Sequence, residues 1–205
     1  MVVRSAVESD HDRILAFIAR DPIGWVDADT YRRYQTSGSY GIDRIWLAEG
    51  DGRLLACAVW YGSPTTDHPL ILDCLWVDSD IGAKAALGGA VLRAGHAAFQ
   101  SSGAQHIPEY HLFLKPAWQN DSENRLEVEW RRVAARSAGL TNELERLRYE
   151  WTSDVGLAPP STRLVFSSQP GDEVFLDVFR RVAVGSLDQE TQDTVAAEGL
   201  ERHAR

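Results

Sequence analysis

Only two of the 205 residues are lysine, Lys84 and Lys115, two are cysteine, Cys57 and Cys74, and one is methionine. Each scarcity bears on what the chain can be. Positive charge rests almost wholly on arginine, and 21 Lys and Arg against 30 Asp and Glu leave a net charge of −9. So acidic a chain, with no basic cluster, argues against a nucleic-acid groove. The two cysteines sit in apolar, strand-like runs, as buried reduced thiols of a cytoplasmic protein would, and give neither a disulfide framework nor a metal site. No apolar run approaches the length of about 18 that a membrane span needs. No apolar stretch follows a basic start, so no signal peptide is expected. What remains, 44% hydrophobic and 25% charged residues, suits a globule with a real core and room for one domain plus a further piece.

The most informative stretch is residues 70–100. An apolar run carrying one acid, Asp73, leads into small residues (Gly82, Ala83, Ala85, Ala86, Gly88 and Gly89). Apolar residues then recur at Leu87, Val91, Leu92, Ala94, Ala98 and Phe99, close to a helical period. A strand feeding a small-residue turn that opens a helix leaves bare N–H groups with the helix dipole behind them, which attract phosphate oxygens. The same pattern also suits a packed turn whose glycines only ease the chain reversal.

In chain order, residues 2–7 read as a strand and 10–20 as a helix with Ser9 as N-cap. A second helix follows Asp27. Strands are expected at 44–49 and 53–61, joined by Gly50-Asp51-Gly52, a strong hairpin signal. A third consecutive strand spans 70–78, a helix 82–100, a strand 110–115 and a helix 123–138. The last helix is expected to bury Leu126, Trp130, Val133 and Ala134 and to end at Gly139. A final strand is read at 144–151. The order β-α-α-β-β-β-α-β-α-β gives a mixed α/β (α+β) fold with a mostly antiparallel sheet flanked by helices. His96, on the apolar side of its helix, reads as a packed histidine. Most tryptophans read as core, with Trp25 and Trp118 in loops where they could line a substrate mouth.

This order, with a phosphate-loop candidate after the fourth strand, resembles the GNAT family of acyl-CoA-dependent N-acyltransferases over roughly residues 2–152. The resemblance implies a splay at the end of the fourth strand that grips the pantetheine arm, at Leu75, Trp76 and Val77. It implies a pyrophosphate loop aligned as Ala83-Lys84-Ala85-Ala86-Leu87-Gly88, with Gly89 following. Here Ala83 stands for the family's Gln or Arg and Ala86 for its first glycine, while Lys84 could supply a charge or simply be solvated. Asp73 falls where many members carry an acid that takes a proton from the attacking ammonium; otherwise it is a paired strand carboxylate. The tyrosine that protonates the departing thiolate is replaced by Ala135, and Tyr110 or His111 could substitute. The implied cosubstrate is acetyl-CoA or another acyl-CoA, with no metal, and the acceptor a small-molecule or peptide amine. The departures at Ala83, Ala86 and Ala135 suit an alternative, a catalytically degenerate domain serving a second copy or partner.

Shifting the chain by 161 residues lays Asp12-Arg13-Ile14-Leu15 over Glu173-Val174-Phe175-Leu176, and residues 26–30 over 187–191. Residues 163–167 then correspond to the first strand. Residues 1–158 are therefore expected to form the acyltransferase-like domain. Residues 159–205 would be a linker plus the opening strand and helices of an incomplete tandem repeat, a segment suited to docking or homodimer formation.

Overall fold

The computed structural model describes residues 1–149, 151–157, 159, 161–163, 168 and 171–203. The chain divides into two compact units, Met1–Arg146 and Leu147–Arg205.

The first unit runs β1 (Val2–Ser5), α1 (His11–Ile18), α2 (Ala28–Thr36), β2 (Ile45–Gly50), β3 (Arg53–Tyr61), β4 (Ile71–Val77), α3 (Lys84–Ser101), β5 (Glu109–Tyr110) and α4 (Ser122–Ser137). The five strands form one sheet in the order β1-β2-β3-β4-β5, antiparallel up to β4 and parallel between β4 and β5. This is the expected mixed sheet. The β2–β3 hairpin turns on Asp51 and Gly52, with φ of 52° and 73°, the left-handed pair that a tight two-residue turn requires.

Alternation along the strands sends side chains to two cores. Leu47, Cys57, Val59, Cys74 and Trp76 join Ile14, Phe17 and Tyr31 on the α1–α2 face. Ala48, Ala56, Ala58, Trp60, Leu75 and Val77 meet Leu87, Val91, Leu92 and Phe99 on the α3 face. Small residues bring α3 close to the sheet and to α4. A Cβ on Gly95 would lie 2.6 Å from the Trp60 ring, and one on Gly89 would collide with the Ser137 hydroxyl.

Four expectations are corrected. Ser9 does not cap α1; it lies in a 3₁₀ turn, Glu8–Asp10, and the Asp10 carboxylate accepts from Val7 N–H at 2.9 Å. The strand expected at 110–115 is only Glu109–Tyr110, because β4 changes course after Leu72. On α4 the buried face is Val128, Arg131, Ala134 and Ala135, while Leu126 is 70% and Val133 45% exposed. Of the four residues expected there, Ala134 is buried and Trp130 packs against the α3 core, while Leu126 and Val133 fall outside the face because an arginine stands at its centre. Finally, the strand expected at 144–151 is absent from the described residues there. Leu144, Leu147 and Tyr149 are exposed, Arg132 and Arg136 of α4 hold Glu143 at 2.6 and 3.1 Å, and the two-residue β5 offers little edge to extend.

The second unit contains α5 (Asp172–Val184), α6 (Gln189–Glu198) and α7 (Leu200–His203). The Asp188 side chain caps α6 by accepting from Thr191 N–H at 3.0 Å. The strand read at 163–167 falls, apart from Arg163, outside the described residues.

Candidate active site

The site forms where β4 leaves its neighbour. Leu72 pairs with Trp60 and Cys74 with Val59, so Asp73 is an extra residue, a β-bulge. A bulge bends its strand and re-aims side chains. Leu72 is the last residue of β4 paired to β5, and its carbonyl accepts from His111 N–H at 3.2 Å. Beyond it, the β5-facing edge of β4 from Asp73 to Val77 has no strand partner among the described residues.

The bulge turns Asp73 toward the α1–α2 face, where its carboxylate accepts from the Tyr40 hydroxyl at 2.8 Å. Asp73 is buried, and burial pushes its carboxyl up to about 6, against the opposing pulls of the Tyr40 bond and the His111 charge. Burial likewise raises the Tyr40 phenol far above its ordinary range. A carboxylate poised near neutrality beside an open strand edge can accept a proton.

Successive residues on and after β5 serve different neighbours. His111 pairs with Glu109 at 2.9 Å, and its ring meets Phe113, which in turn meets Trp25 edge-on at 5.3 Å. Tyr110 instead packs on the α3 side, where burial raises its phenol while the Arg131 charge works the other way. Among the β4 residues, Leu75 and Val77 direct side chains to the α3 core, and the Trp76 ring stacks on Phe17 at 3.9 Å. Only their main chain can meet a ligand on the open edge.

At the start of α3 the first intrahelical bond runs from Leu87 N–H to the Ala83 carbonyl, 3.1 Å. The N–H groups of Lys84, Ala85 and Ala86 precede it, and no side chain caps the helix at Ala83. Leu87 spends its amide on that bond, and Gly88 and Gly89 lie inside the helix. Both glycines are buried against α4, Gly88 beside Trp130 and Ala134, so they set the closeness of the helices and offer no free amide. The bare amides border a groove of about 540 Å³ lined by Ile81, Gly82, Ala83, Lys84, Ala85, Ala86, Leu126, Glu127 and Trp130. Lys84 donates to Glu127 at 2.7 Å, so its charge is already paired. Burial disfavours the Glu127 carboxylate, yet bonds from Lys84, Trp130 and Arg131 hold its pKa below the usual range.

Four residues that the sequence did not single out complete the site: Tyr40, Asp21, Glu127 and Arg131. Arg131 is 1% exposed, and its Nε donates to the Leu75 carbonyl at 3.2 Å, on the open edge of β4. One terminal nitrogen pairs with Asp21 at 2.7 Å and the other with the Glu127 carboxylate. The sequence signal was slight: Glu127 and Arg131 stand four apart, which ordinarily marks a solvated helix pair. His96 is the packed histidine expected, its Nδ1 against the Ala138 carbonyl at 3.1 Å. Among the described residues no group of three or more His, Cys, Asp or Glu could hold a metal, and no helix is long and apolar enough to cross a membrane.

No protein-family model matches the chain, and no curated protein matches it. Solved structures do. An aminoglycoside antibiotic 6'-N-acetyltransferase from Acinetobacter haemolyticus aligns over 75% of this chain and 99% of its own, at 14% identity and a TM-score of 0.48. A glucosamine-6-phosphate N-acetyltransferase from Arabidopsis thaliana aligns over 74% and 98%, at 18% identity and a TM-score of 0.44. The mixed five-stranded sheet flanked by helices is the mixed α/β arrangement expected of the sequence.

Proposed function

We propose that this chain binds an acyl-CoA, acetyl-CoA foremost, and transfers its acyl group to a primary amine. The observation that carries the reading is the uncapped start of α3, which borders a groove and follows the open edge of β4. Bare amides at a helix start suit a diphosphate, and an open strand edge suits an extended chain that bears amides. The cosubstrate would lay its diphosphate against Lys84, Ala85 and Ala86 and run its arm along Leu75 to Val77. In the reaction the neutral amine attacks the thioester carbonyl, a C–N bond forms and the C–S bond breaks. Main-chain N–H groups of β4 steady the developing oxyanion. Asp73 takes the proton from the nitrogen, and the departing thiolate is protonated by His111, whose neighbour Tyr110 is engaged with Arg131.

A second reading, a degenerate domain that no longer catalyses, is favoured by one observation. The Leu75 carbonyl, which an incoming arm would need, is already taken by Arg131. Isothermal titration with acetyl-CoA separates the two. Saturable heat with a dissociation constant below about 1 mM, a binding free energy near −4 kcal/mol, supports the transferase. No heat at that concentration favours the degenerate module.

A further inference from the structure

The geometry points to Arg131 as an internal plug: in the free protein its guanidinium fills the gap beside β4 and must leave before the arm of an acyl-CoA can enter. This rests on the acyl-CoA reading above. A strand edge with unpaired main-chain groups is a ready partner for an extended ligand carrying amides. On this edge, Arg131 Nε donates to the Leu75 carbonyl and substitutes for such a ligand. The side chain is 1% exposed, so a cation has been taken out of water, and two carboxylates are spent to hold it. Well-packed apolar residues often serve stability as well as a buried ion pair does, so stability alone is a poor reason for this arrangement.

The two carboxylates hold the plug differently. Glu127 lies one turn away on α4 itself, and Arg131 also donates to the Glu127 carbonyl at 3.0 Å, so this partner can stay with the guanidinium as it swings. Asp21 follows α1, far from α4 in sequence, and fixes the guanidinium in place at 2.7 Å. Asp21 is the latch, and its release lets the plug turn toward the groove that Glu127 lines.

Replacing Arg131 itself would strand two carboxylates and threaten folding. The test therefore uses Asp21→Asn, which keeps an oxygen for the Ile23 N–H that Asp21 now accepts at 3.1 Å. Wild type and variant, with folding checked by thermal melting, are titrated with acetyl-CoA and with 3'-phosphoadenosine 5'-diphosphate, which has the diphosphate but no arm. The plug predicts that Asp21→Asn binds acetyl-CoA roughly tenfold more tightly and the armless nucleotide within about twofold of wild type. If the nucleotide binds but acetyl-CoA gains nothing, gains only in step with the nucleotide, or binds more weakly, the plug is overturned and the acyl-CoA reading stands. If neither ligand binds either protein, both fall. A second measurement needs no variant: the Arg131 Nε–H, buried and bonded to the Leu75 carbonyl, is expected to exchange slowly with solvent in the free protein and to lose that protection when acetyl-CoA saturates the wild-type chain. Protection retained in the complex overturns the plug.

Discussion

Among the described residues, the start of α3 and the β5-facing edge of β4 both leave main-chain polar groups without a secondary-structure partner, and the chain treats them in opposite ways. At the start of α3 the side chains of Gly82, Ala83, Ala85 and Ala86 are too short to reach back, that of Lys84 is paired with Glu127, and the amides stay bare beside the groove. At the open edge of β4 a long arginine reaches in from α4 and takes the Leu75 carbonyl. Helix starts favour anions at no cost in rearrangement, whereas an occupied edge must first be vacated. The difference teaches that the start of α3 is left open while the edge of β4 is already filled by the protein's own arginine.

The largest expected effect breaks the chemistry and leaves both binding places alone. Asp73→Ala should lower turnover by about 10²- to 10³-fold, the range of a lost general base, with acetyl-CoA affinity nearly unchanged. Thiol release measured against a panel of primary amines checks this, and unchanged turnover removes Asp73 from the mechanism. Next comes the scaffold that sets α3 against the sheet. Gly95→Ala, whose Cβ would stand 2.6 Å from Trp60, should cost about 1–3 kcal/mol in a denaturant titration. Leu126→Ala, at a residue expected to be core but 70% exposed, should stay within about 0.5 kcal/mol.

The pH dependence of Asp73 sharpens the same picture. Its carboxyl is raised from 3.8 to about 6, so the folded state binds this proton more tightly than the unfolded chain does. Its contribution to stability is therefore complete below the unfolded value of 3.8 and is lost as pH rises through about 6. Asp73→Asn should exceed wild type in stability at pH 7 by about 1–3 kcal/mol and match it below about pH 4. Activity runs the other way, since a base must be unprotonated, and kcat/KM should climb through about pH 6. Tyr40→Phe removes a hydrogen bond that favours the carboxylate, and the rising limb should move to higher pH.

Elements whose information is local were legible in the sequence. The Asp51-Gly52 turn, the Asp27 cap on α2 and the run of small residues opening α3 all behave as their residue types dictate. The same holds across the offset of 161: Asp27 accepts from Thr30 N–H and Asp188 from Thr191 N–H, at 2.7 and 3.0 Å. Burial is not local. Ile14 and Ile18 of α1 are core, yet Phe175 and Phe179 at the matching places of α5 are 50% and 58% exposed. The bulge at Asp73 was hidden because register depends on the partner strand. Arg131 was hidden because no period search seeks a cation in a core, and its partner Asp21 lies 110 residues away in sequence.

The measurement that bears most directly on the bare amides of α3 is a double readout on Ala83→Asp. An aspartate at that N-cap position would accept from the free amides, stabilise the helix and present its own charge where a diphosphate would sit. Thermal melting should show a gain of about 0.5–2 kcal/mol, while acetyl-CoA affinity falls by roughly tenfold or more. A variant that is stabilised and still binds acetyl-CoA as tightly as wild type would contradict the account.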